Sequence, residues 1–128
     1  LQGRWQTLSE HPTIVCDTGH NIGGLTYVVE QLKKQQYTHL HIVLGFVKEK
    51  DVNAVLALFP REATYYFCSP HIARGLDVTT LHQIATSKGL QGEAYPSVAE
   101  ALAAAKANAT TTDFIFVGGS TFVVAEVL

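Results

Sequence analysis

Short apolar runs alternate with amphipathic segments along this chain, at intervals of about 20–25 residues. The runs at residues 13–16, 40–44 and 114–117 have the length and the β-branched or aromatic character of buried strands. Between the first two, Leu25, Val28, Val29 and Leu32 follow the i, i+3, i+4, i+7 spacing of one helix face. The alternation predicts βαβ units arranged around a parallel sheet.

The complete pattern predicts a three-layer, Rossmann-like α/β domain with a mostly parallel six-stranded sheet. Residues 4–8 alternate polar and apolar side chains before a turn-forming Ser-Glu-His-Pro. This segment therefore forms an edge strand antiparallel to residues 13–17. The other predicted strands cover residues 40–44, 64–68, 93–95 and 114–117, and the predicted helices cover residues 25–32, 52–58, 78–87, 97–107 and 122–127.

The composition indicates a single globular domain and argues against a nucleic-acid-binding or membrane-spanning protein. The 128 residues suit one domain, 1–128, with 47% hydrophobic and 16% charged residues. A net charge of −2 and no basic run longer than Lys33 and Lys34 argue against nucleic-acid binding. No apolar stretch reaches ~18 residues, so no membrane span is predicted. Cys16 and Cys68 lack metal-ligand spacing, which favours two free buried thiols in a cytoplasmic protein.

The chain contains no Met and starts without the charged and apolar regions of a signal peptide. These features suggest a piece of a longer protein.

Two glycine-rich turns carry the polar side chains of the predicted site. Asp17, His20 and Asn21 come at the end of a strand and before a helix, with three glycines close by. In open α/β sheets, ligands bind at that edge. Ser120, after Gly118 and Gly119, occupies a second such turn. Its hydroxyl either holds an anion or simply caps the following helix, and the sequence leaves both interpretations open. Neither turn is a P-loop or a GxGxxG motif.

Other charged residues are predicted at the same edge. Arg4 lies in the edge strand expected beside Asp17, and guanidinium groups suit bidentate phosphate binding. Lys50, Asp51 and Arg74 follow the next two strands. Singly, each fits a solvated charge or a helix cap; together they favour a zwitterionic or phosphorylated ligand.

His39 and His41 stand two residues apart on a predicted strand. They lack a third ligand, so packing or solvation is predicted rather than a metal site.

The ordered motifs Gly3-Arg4-Trp5, Asp17-x-x-His20-Asn21, Lys50-Asp51 and Gly119-Ser120 resemble one family over essentially the whole chain. This family is the C-terminal domain of folylpolyglutamate synthase/dihydrofolate synthase, within the muramyl-peptide ligases. The family pattern at the first turn is Asp-Gly-Ala-His-Asn-Pro. Here Thr18, Gly19 and Ile22 replace its Gly, Ala and Pro.

The resemblance implies an ATP-dependent ligase that adds L-glutamate to folate or dihydropteroate through an acyl phosphate. ATP and Mg²⁺ would be bound mainly by the enzyme's own N-terminal ATPase domain, which is absent from residues 1–128. Arg4 and Asp17 would then contact the nucleotide, while His20, as the catalytic residue, and Ser120 would lie beside glutamate. Asn21, Lys50, Asp51 and Arg74 would form the site edge, and the isolated domain would be inactive.

Two alternatives remain open at this point. One is the C-terminal domain of a muramyl-peptide ligase, which joins an amino acid to a UDP-sugar precursor. The other is a non-catalytic Rossmann-like binding module. The sequence also leaves open whether the enzyme makes dihydrofolate, extends folate polyglutamate tails, or does both.

Overall fold

The computed structural model describes residues 2–128, in which strands and helices alternate as the sequence pattern predicts. The strands are β1 (Gln6–Ser9), β2 (Thr13–Asp17), β3 (Leu40–Leu44), β4 (Thr64–Phe67), β5 (Gly92–Ala94) and β6 (Phe114–Gly118). The helices are α1 (Ile22–Lys34), α2 (Val52–Leu56), α3 (Val78–Ser87), α4 (Val98–Asn108) and α5 (Thr121–Ala125).

The described strands form one sheet in the order β1-β2-β6-β3-β4-β5. Strand β1 pairs with β2 in the antiparallel sense, and every other neighbouring pair is parallel. The predicted α/β fold, with a mostly parallel sheet and one antiparallel edge strand, is confirmed. Because β2 to β6 run the same way, their C-terminal ends meet along a single edge.

Helices cover both faces of the sheet and give it three layers. Side chains of α1, α2 and α3 pack in one buried cluster, and those of α4 and α5 pack in another. Strand β6 shows the alternation directly: Phe114 and Phe116 enter the first cluster, and Ile115 and Val117 enter the second. Burial on both faces explains why these strands are continuous apolar runs.

The predicted position of Arg4 inside the edge strand is wrong, because β1 begins only at Gln6. The backbone turns at Trp5, whose φ is 43°, and the Trp5 N–H donates to Asp17 Oδ2 at 2.8 Å. The indole ring stacks near Phe114 and Phe116, with centroids 6.2 and 6.3 Å away. The tryptophan thus leaves the strand path and packs on the core.

Several other boundaries shift by a few residues. Helix α1 begins at Ile22 because the Asn21 side chain caps it. Helices α2 and α5 end earlier than predicted, since their last turns tighten into i to i+3 hydrogen bonds such as Leu58 N–H to Val55 C=O and Val127 N–H to Val124 C=O. Strand β5 begins one residue earlier than predicted and ends at Ala94.

His41 lies inside a buried network, which is the packing role that the sequence predicts. Its Nδ1 is 2.9 Å from the Tyr66 hydroxyl, and its Nε2 is 2.9 Å from Asp113 Oδ2. Burial raises the pKa of the Asp113 carboxyl, but hydrogen bonds from His41 and Thr110 outweigh it and lower the pKa to about 2. The network joins β3, β4 and the start of β6.

Cys16 and Cys68 are free and buried, as predicted. Burial raises the pKa of the Cys68 thiol to about 12. Among residues 2–128, no helix has both the length and the apolar character needed to cross a membrane.

Candidate functional site

Four loops converge at the C-terminal edge of the sheet, after β2, β6, β3 and β4. Gly119 shows how closely two of them approach. Its φ is +101°, and a Cβ at this position would lie 2.5 Å from the carbonyl oxygen of Gly45. Only glycine combines this conformation with so short a separation between the β6 and β3 loops. The contact positions Ser120 directly beside the loop that carries Lys50.

The Asp17 carboxylate organises the first loop. It is 4% exposed, its Oδ1 accepts the Gly19 N–H at 2.7 Å, and its Oδ2 accepts the Trp5 N–H at 2.8 Å. The Thr18 N–H also donates to the Gly3 carbonyl oxygen at 2.7 Å. These bonds bring the segment that contains Arg4 against the loop after β2. Each carboxylate oxygen retains a second acceptor direction for a ligand.

His20 and Asn21, in the same loop as Asp17, have different roles. The Asn21 side chain accepts the Gly24 N–H at 2.8 Å and so caps α1. His20 is exposed, and its Nδ1 lies 3.3 Å from the carbonyl oxygen of Thr18. A carbonyl only accepts, so this contact requires the proton on Nδ1. In the neutral form of the ring, Nε2 is then the acceptor, on the side away from that bond.

Two clefts share His20 at this edge. The Ser120 cleft, of about 310 Å³, is lined by His20, Val47, Glu49, Lys50, Arg74, Gly119, Ser120, Thr121 and Phe122. The Arg4 cleft, of about 240 Å³, is lined by Arg4, Asp17, Thr18, Gly19, His20, Asn21, Gly24 and Tyr27. The structure therefore divides the sequence-predicted residues into two groups and places His20 between them.

Asp51 lies apart from both clefts. Its carboxylate caps α2 by accepting the Ala54 N–H at 3.4 Å, as its position before that helix predicts. With Asn21 and Lys50 it lines a depression of about 220 Å³ that adjoins the Ser120 cleft. Among the predicted edge residues, Lys50 and Arg74 therefore supply the positive charge inside the Ser120 cleft.

Ser120 is the N-cap of α5, which is the simpler of its two sequence interpretations. Its Oγ accepts the Phe122 N–H at 3.1 Å, and the residue is 3% exposed. Acceptance of that bond leaves the hydroxyl proton available to a ligand in the cleft. The structure thus allows the cap and a ligand contact together.

Glu49, Phe122 and Tyr27 also line the clefts and were not predicted as site residues from the sequence. Glu49 pairs with Arg74, with 2.9 Å between Oε1 and Nε. The Arg74 guanidinium also lies over Phe122, 5.5 Å from the ring centroid. Tyr27, 52% exposed, borders the Arg4 cleft. The sequence shows that Glu49 lies in a charged loop, which could have marked it as a candidate. Nothing in the sequence marks Tyr27 and Phe122, because an aromatic residue in a helical pattern is expected to lie in the core.

The donor set does not fit a metal site. Within residues 2–128, no three His, Cys, Asp or Glu side chains gather closely enough to hold an ion. The polar groups of the two clefts are therefore what the described residues offer to a ligand.

The fold and the clefts together define a class: an open α/β domain with polar clefts at the edge where its parallel strands end, the edge at which such domains bind ligands. The Mur ligase glutamate ligase domain family matches residues 3–121, and the chain belongs to this family. It is a Mur ligase C-terminal domain, similar to the C-terminal regions of folylpolyglutamate synthase/dihydrofolate synthase. The resemblance drawn from the sequence motifs is confirmed.

Known proteins show the same relationship. The chain is 34% identical to the probable bifunctional folylpolyglutamate synthase/dihydropteroate synthase of Haloferax volcanii, over 97% of this chain and 15% of that protein. E. coli FolC in complex with DHPP and ADP superimposes with a TM-score of 0.90 and 29% identity, over 99% of this chain and 30% of FolC. A bifunctional folylpolyglutamate synthase/dihydrofolate synthase with Mn, AMPPNP and L-glutamate bound gives a TM-score of 0.89 and 28% identity over the same shares.

The chain spans less than a third of the length of these relatives. The similarity therefore covers one domain of each relative.

The departure from the family pattern at Ile22 leads to a stability prediction. We expect Ile22→Pro to raise the free energy of unfolding by about 0.4–1 kcal/mol, because a fixed φ restricts the unfolded chain. Ile22 is the first residue of α1, where proline is well tolerated. Asn21 has φ −125° and ψ 176°, in the extended region favoured before proline. Urea unfolding of the 128-residue chain measures the change.

Ile22→Ala is the matched control, since it removes the same 46%-exposed side chain without adding a ring. A proline variant no more stable than the alanine variant would contradict the prediction.

Proposed function

We propose that this chain is the C-terminal domain of an ATP-dependent amide ligase that adds L-glutamate to folate or dihydropteroate through an acyl phosphate. The observation that carries the proposal is the pair of adjacent clefts joined at His20. One cleft suits a nucleotide and the other suits an acidic amino acid. A ligase of this kind must bring both into contact with one carboxylate substrate.

The Arg4 cleft is assigned to the nucleotide. Arg4 offers a guanidinium for a phosphate, and Asp17 offers carboxylate oxygens for ribose hydroxyls. The backbone bonds of Asp17 to Trp5 and Gly19 fix that carboxylate and the Arg4 segment relative to each other. Support also comes from E. coli FolC, which was solved with ADP.

The Ser120 cleft is assigned to glutamate. Lys50 and Arg74 match two carboxylates, the Ser120 hydroxyl can donate to one of them, and His20 Nε2 can accept a proton from the amino group. A relative solved with L-glutamate, AMPPNP and Mn supports this assignment. Glutamate would thus enter with its amine beside the residue that the two clefts share.

The reaction requires two transfers. The substrate carboxylate oxygen attacks the γ-phosphorus of ATP, which gives an acyl phosphate and ADP. When the free amine of glutamate attacks the acyl carbon, an amide bond forms and phosphate leaves with one amine proton; before that attack, the ammonium group must give up a proton. In this chain, His20 holds the amine in line for attack and receives that proton, while Lys50 and Arg74 orient the amino acid.

The enzyme's N-terminal ATPase domain would supply the phosphate cradle and the Mg²⁺ ligands, and Mg²⁺ would offset charge on the transferred phosphate. This division explains why the clefts lie open at one edge: closure of the two domains completes the site. The buried thiols fit a cytoplasmic enzyme. The isolated chain is expected to show no glutamate-dependent ATP turnover.

An assay of the enzyme that contains this domain tests the proposal. Purified enzyme receives ATP and L-glutamate with dihydropteroate, with a reduced folate, or with a UDP-sugar peptide precursor, and ADP release is measured. Turnover with either pterin substrate supports the proposal and shows which activity the enzyme has. Turnover with the sugar nucleotide alone would assign the domain to a muramyl-peptide ligase, and turnover with none would favour a binding module.

In the same enzyme, we expect Ser120→Ala to raise the KM for glutamate by about tenfold and to change the KM for ATP much less. The variant loses a hydroxyl that can donate to a carboxylate, a hydrogen bond worth roughly 1.5–3 kcal/mol. Steady-state kinetics with each substrate varied in turn measures both constants. A raised ATP KM beside an unchanged glutamate KM would reassign this loop to the nucleotide.

Ser97→Ala is the control for the lost helix cap. Ser97 caps α4 through the Glu100 N–H at 3.1 Å and lines neither the Ser120 cleft nor the Arg4 cleft. Both variants should lose about 1 kcal/mol of stability. Only Ser120→Ala should alter glutamate kinetics.

A further inference from the structure

Arg74 has two partners at the Ser120 cleft although its side chain is largely exposed. Its Nε donates to Glu49 Oε1 at 2.9 Å, and its guanidinium carbon lies 5.5 Å from the Phe122 ring centroid. An exposed arginine ordinarily samples many rotamers. A carboxylate on one side and an aromatic face beneath it restrict this one to a narrow set of orientations.

The backbones of the two loops are also joined. The Lys48 N–H donates to the Arg74 carbonyl oxygen at 2.7 Å, and the Leu76 N–H donates to the Phe46 carbonyl oxygen at 2.8 Å. A bridge between Val47 and Gly75 lies between these bonds. The Cα atoms of Glu49 and Arg74 therefore have fixed relative positions, and their ion pair needs little further ordering.

The atom that Glu49 contacts determines what Arg74 can still bind. A guanidinium has five N–H groups, and a carboxylate can approach either beside Nε or end-on across the two Nη groups. Glu49 takes the Nε–H, and in the described residues no protein acceptor hydrogen bonds to the Nη groups. The end-on fork is the part that matches a second carboxylate bidentately.

We propose that Glu49 is a positioning residue for the incoming amino acid, because it holds Arg74 with the end-on fork free for a substrate carboxylate. The inference rests on the proposed glutamate-ligase function and adds a residue that neither the sequence motifs nor the relatives' bound ligands assign. Glu49 acts through Arg74 and does not touch the reacting atoms.

A purely structural role for this pair is disfavoured by its exposure. The side chains of Arg74 and Glu49 are 60% and 57% exposed, and exposed ion pairs contribute little to stability. The hydrogen bond from Arg74 lowers the pKa of the Glu49 carboxyl, so the pair stays charged at neutral pH. Glu49→Gln should therefore fold normally, and its effect should appear in glutamate binding.

Kinetics of the ligase that contains this domain provides the test. Glu49→Gln is expected to raise the KM for L-glutamate about two- to fivefold, with the KM for ATP unchanged, because an exposed pair can hold Arg74 only weakly. Arg74→Gln should raise the KM for L-glutamate at least as much. The double variant Glu49→Gln/Arg74→Gln should have the same KM for L-glutamate as Arg74→Gln alone. Arg74→Lys keeps the charge but lacks the fork, so its glutamate KM should also rise. Glu93→Gln, an exposed carboxylate on β5, is the matched control and should leave all constants unchanged.

Two failures can be told apart. If the unmutated enzyme turns over glutamate but Glu49→Gln has a normal glutamate KM, or if the two substitutions are additive, the positioning role is wrong and the proposed function stands. If the unmutated enzyme shows no glutamate-dependent turnover, both are wrong. As a second readout, the ¹⁵Nε–H resonance of Arg74 in the 128-residue chain should shift in Glu49→Gln and not in Glu93→Gln.

Discussion

Replacement of His20 by alanine should lower the rate of amide formation about 100-fold while nucleotide affinity stays nearly intact. The expectation follows from the position of the imidazole between the two clefts. Its Nδ1 is occupied by the Thr18 carbonyl oxygen, so Nε2 is the atom that can hold the attacking amine. Without that contact, the amine is no longer oriented for attack on the acyl phosphate. Formation of the acyl phosphate should be unaffected.

Asp17→Asn should give the opposite result in the same enzyme. An amide can present an acceptor to only one of the Gly19 and Trp5 N–H groups, because its other end is itself a donor. One of the two bonds would then be lost, which would loosen the Arg4 segment or the first loop, while the Thr18 N–H to Gly3 bond remains. We expect nucleotide affinity to fall about tenfold, with the glutamate KM changed much less.

Nucleotide titrations and glutamate-dependent turnover of both variants separate these roles. His71→Ala is the matched control, since this exposed histidine lies on the same sheet edge but lines neither the Ser120 cleft nor the Arg4 cleft. Equal losses of nucleotide affinity in the His20 and Asp17 variants, with unchanged glutamate kinetics, would disprove the division of labour.

Gly119→Ala should lower the free energy of unfolding by roughly 2–4 kcal/mol. The positive φ of Gly119 is one cause, since it is strained for any residue with a Cβ. The second is the 2.5 Å approach of that Cβ to the Gly45 carbonyl oxygen, which is backbone and cannot rotate away. Relief would require the β3 and β6 loops to separate, which would also widen the Ser120 cleft.

Urea unfolding of the 128-residue chain measures this effect, and Gly23→Ala is the control. Gly23 lies in α1, where a new Cβ would meet only the Asn21 Oδ1 at 3.7 Å. Alanine there should stabilise the helix by about 0.5–1 kcal/mol. Similar stability changes in the two variants would mean that the loop adapts to a side chain at position 119.

The sequence predicted the elements well because most strands are buried on both faces and most helices carry clear apolar spacing or caps. Asp51 is a helix cap that the sequence suggested and the structure contains. The path at Trp5 could not be predicted, because an alternating pattern does not reveal that the indole stacks on Phe114 and Phe116. Arg4 was therefore assigned to the correct edge but to the wrong element.

The positions of the candidate site residues could be predicted to the extent that they follow from where the strands end. Asp17 ends a strand, His20, Lys50, Arg74 and Ser120 lie in loops after strands, and the topology collects them at one edge. Their division into two clefts depends on loop contacts across the fold. The Glu49–Arg74 pair joins residues 25 positions apart, and such pairing leaves no local pattern in a single sequence.

The order of strands has a consequence for how the chain acquires its structure. Strand β6, the last in sequence, lies between β2 and β3 and carries the contacts that join them. During synthesis, β2 and β3 would emerge about 97 and 70 residues ahead of the strand that separates them. Until residues 114–118 leave the ribosome, both strands expose an unpaired edge and are open to mispairing. A nascent chain stopped before position 114 should therefore be protease-sensitive and bind chaperones, whereas release of the next few residues should protect it abruptly.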